Sequence, residues 1–397
     1  MYEVINPESW GLKAPDASGE KKIEETLGIS YETLKHRITK TVTSFIENLY
    51  NEEEKAMHHY YRADTKYKSE MDSGNFLMAL NFLVVYDMTQ DETLLEKAQN
   101  CFKWAYENTT ETHPMFTWQG GVRDGFKPNE LYVKYTGDAF ITANALYKRT
   151  GDETYLFYIK QFHNFFKQAR KAGFKYKYDT DTYTWSDTGF VWRAFGFPIT
   201  AYLELYEITK EDKYKEEAKR WGEHALTLQE DSGAFYLIDG EFWNSDLAAP
   251  ELRSLVYLYE LTNDKKYLDA AQKYADWMIK HQREDGAWVI GIDNDEEVCA
   301  PNVGPGDTPN IAISLIRLHR HTRKENHLRA AIKAVEYGLS MQAVAEGKYP
   351  YHLDDPNVKY GFWSWEPLMD YSLSGDQSIH HIRGFLFVAH YIARVHT

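Results

Sequence analysis

Residues 257–278, YLYELTNDKKYLDAAQKYADWM, decide the architecture. An apolar run ends at Thr262, the polar pair Asn263–Asp264 follows, and a second run places Tyr267, Ala270, Ala271, Tyr274, Ala275 and Met278 at helical spacing. That recurrence marks one buried helix face, and the Lys and Asp residues between them put the opposite face in water. Asp264 is placed to accept hydrogen bonds from the unpaired N–H groups of the new helix's first turn. The stretch therefore reads as a helical hairpin with a tight turn.

The same pattern occurs four more times, as VVYDMTQDETLLEKAQNCFKWA (84–105), ALYKRTGDETYLFYIKQFHNFF (145–166), ELYEITKEDKYKEEAKRWGEHA (204–225) and RLHRHTRKENHLRAAIKAVEYG (317–338). The anchoring residues Thr89, Thr150, Thr209, Thr262 and Thr322 are separated by 61, 59, 53 and 60 residues. Asp91 and Asp152 stand where Asp264 does. The helix before each turn is apolar on all sides, as in NFLVVY and SLVYLYEL, which suits burial between helices. Inner helices are expected at 74–88, 136–149, 189–208, 246–261, 307–321 and 377–395. Outer helices are expected at 30–51, 91–107, 152–170, 211–228, 264–282 and 324–342. The chain starts with an outer helix and ends with an inner one, so these two pair and close a ring. The period is longer than that of short helical repeats, and no polar end-cap repeat is visible. The expected fold is all-α, an (α/α)6 barrel of six hairpins and twelve helices over 30–397. Residues 1–29 are expected to form a polar extension on the surface.

Composition narrows the function classes. The 397 residues carry a formal net charge of −15 and no basic run, which argues against nucleic acid and anionic membranes as partners. With only Cys101 and Cys299, no disulfide framework or cysteine-pair metal site is expected, and no cofactor is indicated. The opening residues MYEVINPESWGLKAP lack the basic and apolar regions of a signal peptide, and no apolar run of about 18 residues occurs. A cytoplasmic protein is the expectation. Aromatic residues make up 15% of the chain, enough to call for either a large core or an aromatic-lined cavity.

Turns from inner to outer helix are short, whereas the returns are long and gather at one rim, where function usually sits on a rigid scaffold. The returns read YYRADTKYKSEMDSGN (60–75), TWQGGVRDGF (117–126), YTWSDTGFVWRAFG (183–196), GAFYLIDGEFWNSDLAAPE (233–251), DGAWVIGIDNDEEVCAPNVGPGDTPN (285–310) and YPYHLDDPNVKYGFWSWEPLMDYSLSGDQS (349–378). Each joins Trp or Tyr to carboxylates. Aromatic faces stack on the apolar C–H faces of sugars, and carboxylates and Arg bind hydroxyls and acidic groups. Such a mouth is expected to take an oligosaccharide.

An Asp stands near each inner-helix start: Asp72, Asp138, Asp187, Asp246, Asp307 and Asp376. Helix capping would explain most of them. Asp72 and Asp187, beside glycine and aromatic residues, are the stronger catalytic candidates. Glu366, between Trp365 and Pro367, is a third, because apolar neighbours raise a carboxyl pKa. Candidate substrate contacts are Trp118, Arg123, Trp185, Trp192, Arg193, Trp243, Asp246, Trp288, Trp363, Trp365, Tyr371 and His380. Arg123, Arg193 and Arg383 could hold a sugar carboxylate, or could simply pair with the many acids. The segments QEDSGAF and QREDGAW share Gln-x3-Gly-x-aromatic, resembling the QW motif of triterpene cyclases, and read as loop-forming turns.

The repeated TGD-like turn, HQREDGAW at 281–288, the segment ending at Asp307–Thr308, and GNFLMALNFLVVYDMTQDETLLEKA at 74–98 resemble six-hairpin carbohydrate enzymes. The nearest in kind are the unsaturated glucuronyl and rhamnogalacturonyl hydrolases. The resemblance implies two aspartates near inner-helix starts that act in hydration of an unsaturated uronyl ring, carried over here to Asp72 and Asp187. The Trp-x-Arg-Gly-x-Gly-Trp segment of the rhamnogalacturonyl branch is absent, and WRAFGFP at 192–198 is partly similar. The leading expectation is a glycoside hydrolase of short oligosaccharides working by carboxyl acid–base chemistry. A lyase or sugar epimerase would instead use Tyr371, His352 or His380 as base, and a glycan-binding module would bind without turnover.

Overall fold

The computed structural model describes residues 2–125, 127–187, 191–237 and 242–395. Fourteen helices are seen among them. The helices α1 (Ala17–Leu27), α2 (Tyr31–Lys40) and α3 (Glu47–Leu49) open the chain, with a π-helical stretch Thr41–Ile46 joining the last two into one outer helix. Then come α4 (Asn75–Thr89), α5 (Glu92–Thr109), α6 (Val133–Thr150), α7 (Thr154–Lys171), α8 (Gly196–Thr209), α9 (Asp212–Leu226), α10 (Ser245–Thr262), α11 (Lys265–Lys280), α12 (Asp307–Thr322), α13 (Glu325–Ser340) and α14 (Gly375–Ile392). The even-numbered helices from α4 to α14 are the inner ones. Each packs against the next around the ring, and α14 packs against α4, so the barrel is closed. The expected start of the third inner helix at 189 falls outside the described residues, and the helix is seen from Gly196.

The repeated threonine explains why five turns look alike. Thr89, Thr150, Thr209 and Thr262 each donate from Oγ1 to the carbonyl four residues back, at 2.6–2.9 Å. Each hydroxyl also accepts from the backbone N–H two residues on, as does that of Thr322. One hydroxyl thus ties the end of an inner helix to the turn. The next residue is left-handed in all five turns, at Gln90, Gly151, Lys210, Asn263 and Arg323, which reverses the chain. Asp91, Asp152 and Asp264 then accept from first-turn N–H groups of the outer helix, as their positions imply.

The Gln-x3-Gly segments also serve the scaffold. Gln229 donates to Gly233 and Ala270 carbonyls, and Gln282 to Gly286 and Ala330 carbonyls, so each glutamine ties a loop to the next outer helix. The long returns carry short antiparallel strands that the helical reading did not anticipate. One sheet runs Val122–Arg123, Glu130–Tyr132, Lys177–Asp179, Thr184–Ser186, and others involve Phe242–Asn244, Gly291–Asp293, Tyr60–Arg62 and Ser372–Ser374. Among the described residues no helix is long and apolar enough to cross a membrane.

The N-terminal extension lies on the surface from Lys13 onward, but its first residues do not. Tyr2, Val4, Ile5, Trp10 and Leu12 are buried, because these apolar side chains enter the short-turn end of the barrel. Glu3 pairs there with Arg149 at 2.6 Å and Lys148 at 3.5 Å, and the Arg317 guanidinium lies 4.3 Å from the Trp10 ring centroid. Helix α1 then packs on α13 and α14.

Two glycines separate turn strain from crowding. At Gly151, φ is +69° and an added Cβ meets nothing within 4 Å. At Gly286, φ is +97° and the Cβ would lie 2.2 Å from the Lys333 carbonyl oxygen. Gly151→Ala is expected to cost about 1 kcal/mol in a urea titration, the left-handed penalty alone. Gly286→Ala should cost more than about 2 kcal/mol, since backbone must also move. Equal losses would show that crowding is not felt.

Candidate active site

Because the short turns all lie at one end, the six inner helices present their N-termini at the other. A cavity of about 330 Å³ runs inward from that rim along the barrel axis. His59, Asp72, Asp124, Asp246 and Asp376 line its outer part, and Asp138 and His380 stand deeper. Tyr135, Trp192, Phe197 and Trp365 supply aromatic wall. Glu204, Arg253 and Arg383 stand deeper still, with Glu3, Val4 and Ile5 of the N-terminal segment.

The aspartates are not there as caps. The cap positions of the inner helices are Gly74, Tyr132, Phe195, Asn244, Gly306 and Ser374, and only Asn244 caps with its side chain. The carboxylates instead pair with cations in the cavity. His59 Nδ1 lies 2.8 Å from Asp72 Oδ2, and its Nε2 lies 3.5 Å from Asp376 Oδ2. Burial disfavours the charged imidazole, yet the two aspartates outweigh it and hold His59 well above the ordinary pKa. In return, although burial raises the Asp376 carboxyl, His59 and the Ser374 hydroxyl hold it far below the usual range. Asp72 also accepts from the Gly74 N–H at 2.8 Å. Lys134 pairs with Asp246, and its ammonium lies 4.8 Å from the Trp192 ring centroid.

Among the described residues Asp138 has no such partner within ion-pair reach. It sits one turn inside α6, where burial pushes its pKa up to about 7, with Asp246 and Asp376 adding to the rise and Lys134 and Arg383 opposing it. Asp307 is likewise raised to about 8 by burial and Asp246, while accepting from the Ser245 hydroxyl at 2.6 Å. His380 is driven well below its ordinary pKa, first by burial and then by Arg383. Arg383 Nη2 donates to His380 Nδ1 at 2.8 Å, so the neutral ring carries its proton on Nε2.

Of the residues anticipated at the site, Asp72, Asp138, Trp192, Asp246, Trp365, Asp376, His380 and Arg383 line the cavity. The others stand outside it. Asp187 follows a rim strand and pairs with Lys175. Glu366 accepts from Tyr337 Oη at 2.5 Å and pairs with Lys348 and Arg283. Burial raises the Glu366 carboxyl, but these donors outweigh it and hold it below the usual range, opposite to the effect anticipated from its apolar neighbours. Arg123 pairs with Glu111 at 3.1 Å, and Arg193 directs its charge toward Glu251, Tyr176 and His224. Trp118 stacks between Phe116 and Tyr178, Trp185 packs on Phe165, and Tyr371 is exposed at the rim. Trp243, Trp288 and Trp363 are fully buried. His59, Lys134, Tyr135, Glu204 and Arg253 were not anticipated. Lys134, Asp138, Glu204, Arg253 and Arg383 share one signal: a charge inside an inner helix that must be buried.

The fold is the six-hairpin (α/α)6 barrel seen in several carbohydrate-active enzymes. Residues 247–370, less than a third of the chain, match the model of Glycosyl Hydrolase Family 88. The structure resembles a D-mannose isomerase at 16% identity, covering 90% of this chain and 97% of that one, with a TM-score of 0.69. It resembles the cellobiose 2-epimerase of Bacillus thermoamylovorans at 12% identity, covering 92% and 100%, with a TM-score of 0.72. The α-1,6-mannanase of Salegentibacter sp. aligns at 15% identity over 91% of this chain and 99% of that one, with a TM-score of 0.59. No curated protein matches in sequence.

Asp138 carries a stability signature. A carboxyl whose pKa rises on folding imposes no penalty below its unfolded value, and a growing one as pH climbs from there through about 7. Asp138→Asn is therefore expected to stabilise the fold by up to roughly 4 kcal/mol at about pH 8 and by little near about pH 4. Chemical denaturation at both pH values checks this. A pH-independent difference would mean that Asp138 titrates normally.

Proposed function

We propose that the protein is a glycoside hydrolase that admits the end unit of a short, uronate-containing oligosaccharide into this cavity. Asp138 is the proton donor, and Asp72 is the carboxylate that orients water. The observation that carries the reading is the contrast between two carboxyl groups on one cavity. Asp138 keeps its proton to about pH 7, whereas Asp72 is locked in an ion pair with His59. A carboxyl that keeps its proton, set beside a carboxylate held in an ion pair, divides the acid and base roles. The acid protonates the leaving oxygen or, in an unsaturated uronyl unit, the vinyl carbon, and water adds to the cation that forms. Trp192 and Tyr135, 5.8 Å apart and nearly perpendicular, offer ring faces to the sugar.

The hydrolase is favoured over the epimerase by the state of the histidines. Proton abstraction from a sugar needs a basic lone pair. Both nitrogens of His59 face carboxylates, and the basic nitrogen of His380 is taken by Arg383. Tyr371 and His352 are exposed and outside the cavity.

The test is incubation with uronate oligosaccharides that carry, or lack, an unsaturated end unit. Release of a monosaccharide is expected, with loss of the conjugated double-bond absorbance for the unsaturated substrate. Turnover should decline as pH rises through about 7, where Asp138 loses its proton. Asp138→Asn should lower kcat by about 10²–10⁴-fold. A rise in absorbance would identify a lyase, an isomerised sugar an epimerase, and full activity in Asp138→Asn would remove the acid assigned here.

A further inference from the structure

Arg253 and Arg383 stand at one depth. Each lies eight residues into its helix, α10 and α14, and so about 12 Å below the helix start. They are 6% and 5% exposed, line the inner end of the cavity, and form no ion pair among the described residues. Arg253 donates from Nη1 to Asn310 Oδ1 at 3.5 Å and Ser314 Oγ at 3.3 Å, and its Nε has no partner. Arg383 donates to the carbonyls of Ile379 at 3.3 Å and Val4 at 3.4 Å, and to His380. A guanidinium has five N–H donors, so each group keeps some for another acceptor.

Neighbouring carboxyls do not fill that role. Glu204, at the same depth on α8, accepts only from Asn144 at 3.5 Å, and its Oε1 has no partner. Burial raises its pKa to about 8, so near neutral pH it supplies little counter-charge. Two buried cations facing an open space without a counter-ion are costly unless an anion joins them.

We propose that Arg253 and Arg383 form an anion-binding floor that takes the carboxylate or phosphate group of the sugar unit entering the cavity. The planar forks suit an oxyanion's paired oxygens. The N-terminal segment completes the floor, since the Val4 carbonyl holds Arg383 and Ile5 closes the space beside it. Asp138, five residues into α6, lies about 4–5 Å above this layer, within the span of one sugar ring. The ring's orientation rests on the hydrolase reading, whereas the anion site does not.

Calorimetric titration of the full-length protein tests the floor with glucuronate, glucuronamide, glucose and inorganic phosphate. Glucuronate should bind about tenfold or more tightly than its neutral amide, and phosphate should compete with it. Arg253→Met and Arg383→Met should each erase that preference. If glucuronate and glucuronamide bind equally in the wild type and phosphate does not compete, the proposal falls, whether or not the variants fold. It also falls if folded variants keep the preference. Phosphate binding tighter than glucuronate would support the floor with a phosphate ester as its group, and the reverse order would support it with a carboxylate. Asp138→Asn should lower turnover by about 10²–10⁴-fold and keep the preference. Absence of turnover in the wild type, with the preference intact, would overturn the hydrolase reading and leave the floor standing.

Discussion

The parallel alignment of the six inner helices is the constraint on which the rest depends. Short turns stapled by threonine hydroxyls keep the inner-to-outer reversals at one end, so all six N-termini and their partial positive charges converge on the other. Acidic residues are tolerated at such a rim, and Asp246, Asp307 and Asp376 occupy the first turns of three inner helices. The long returns must also lie there, and they bring Asp72, His59 and Trp365 over the axis.

Helix dipoles alone do not neutralise five aspartates in a narrow space. The mouth resolves the excess in two ways. His59 and Lys134 neutralise Asp72, Asp376 and Asp246 as ion pairs. Asp138 and Asp307, left without a cation in contact, hold their protons instead. A proton kept near neutral pH is what a general acid requires, so burial, with neighbouring like charge adding to it, prepares the chemistry. Of the two, Asp138 lines the cavity, whereas Asp307 accepts from the Ser245 hydroxyl.

Much of the fold was legible because its signals are local. A threonine followed by a left-handed residue and an Asp is a complete turn, and five copies set the period. The site was less legible because its signals are three-dimensional. An Asp near a helix start reads as a cap, yet glycine, tyrosine, phenylalanine and serine occupy cap positions while Asp72, Asp138, Asp246 and Asp376 line the cavity. Loop tryptophans read as a binding rim because burying an indole N–H is costly. Trp243, Trp288 and Trp363 avoid that cost through Tyr274 Oη and the carbonyls of Met278 and Tyr349. A charged residue within an apolar inner helix was the more informative sign, and Asp138, Glu204, Arg253 and Arg383 all carry it.

The N-terminal segment shows why that sign has to be read against the whole fold. Its polar composition suggests a surface strap, but its apolar residues flank Glu3, which pairs inside the barrel with Arg149 and Lys148 in the last turn of α6. Once Glu3 is fixed, Val4 and Ile5 are carried to the axis beneath Arg383. The closed end of the cavity is thus built by residues more than two hundred positions from either arginine. Without that closure the arginines would face water and need no partner. With it they are buried cations in a blind cavity, and the chemistry of a bound anion becomes the way to balance them.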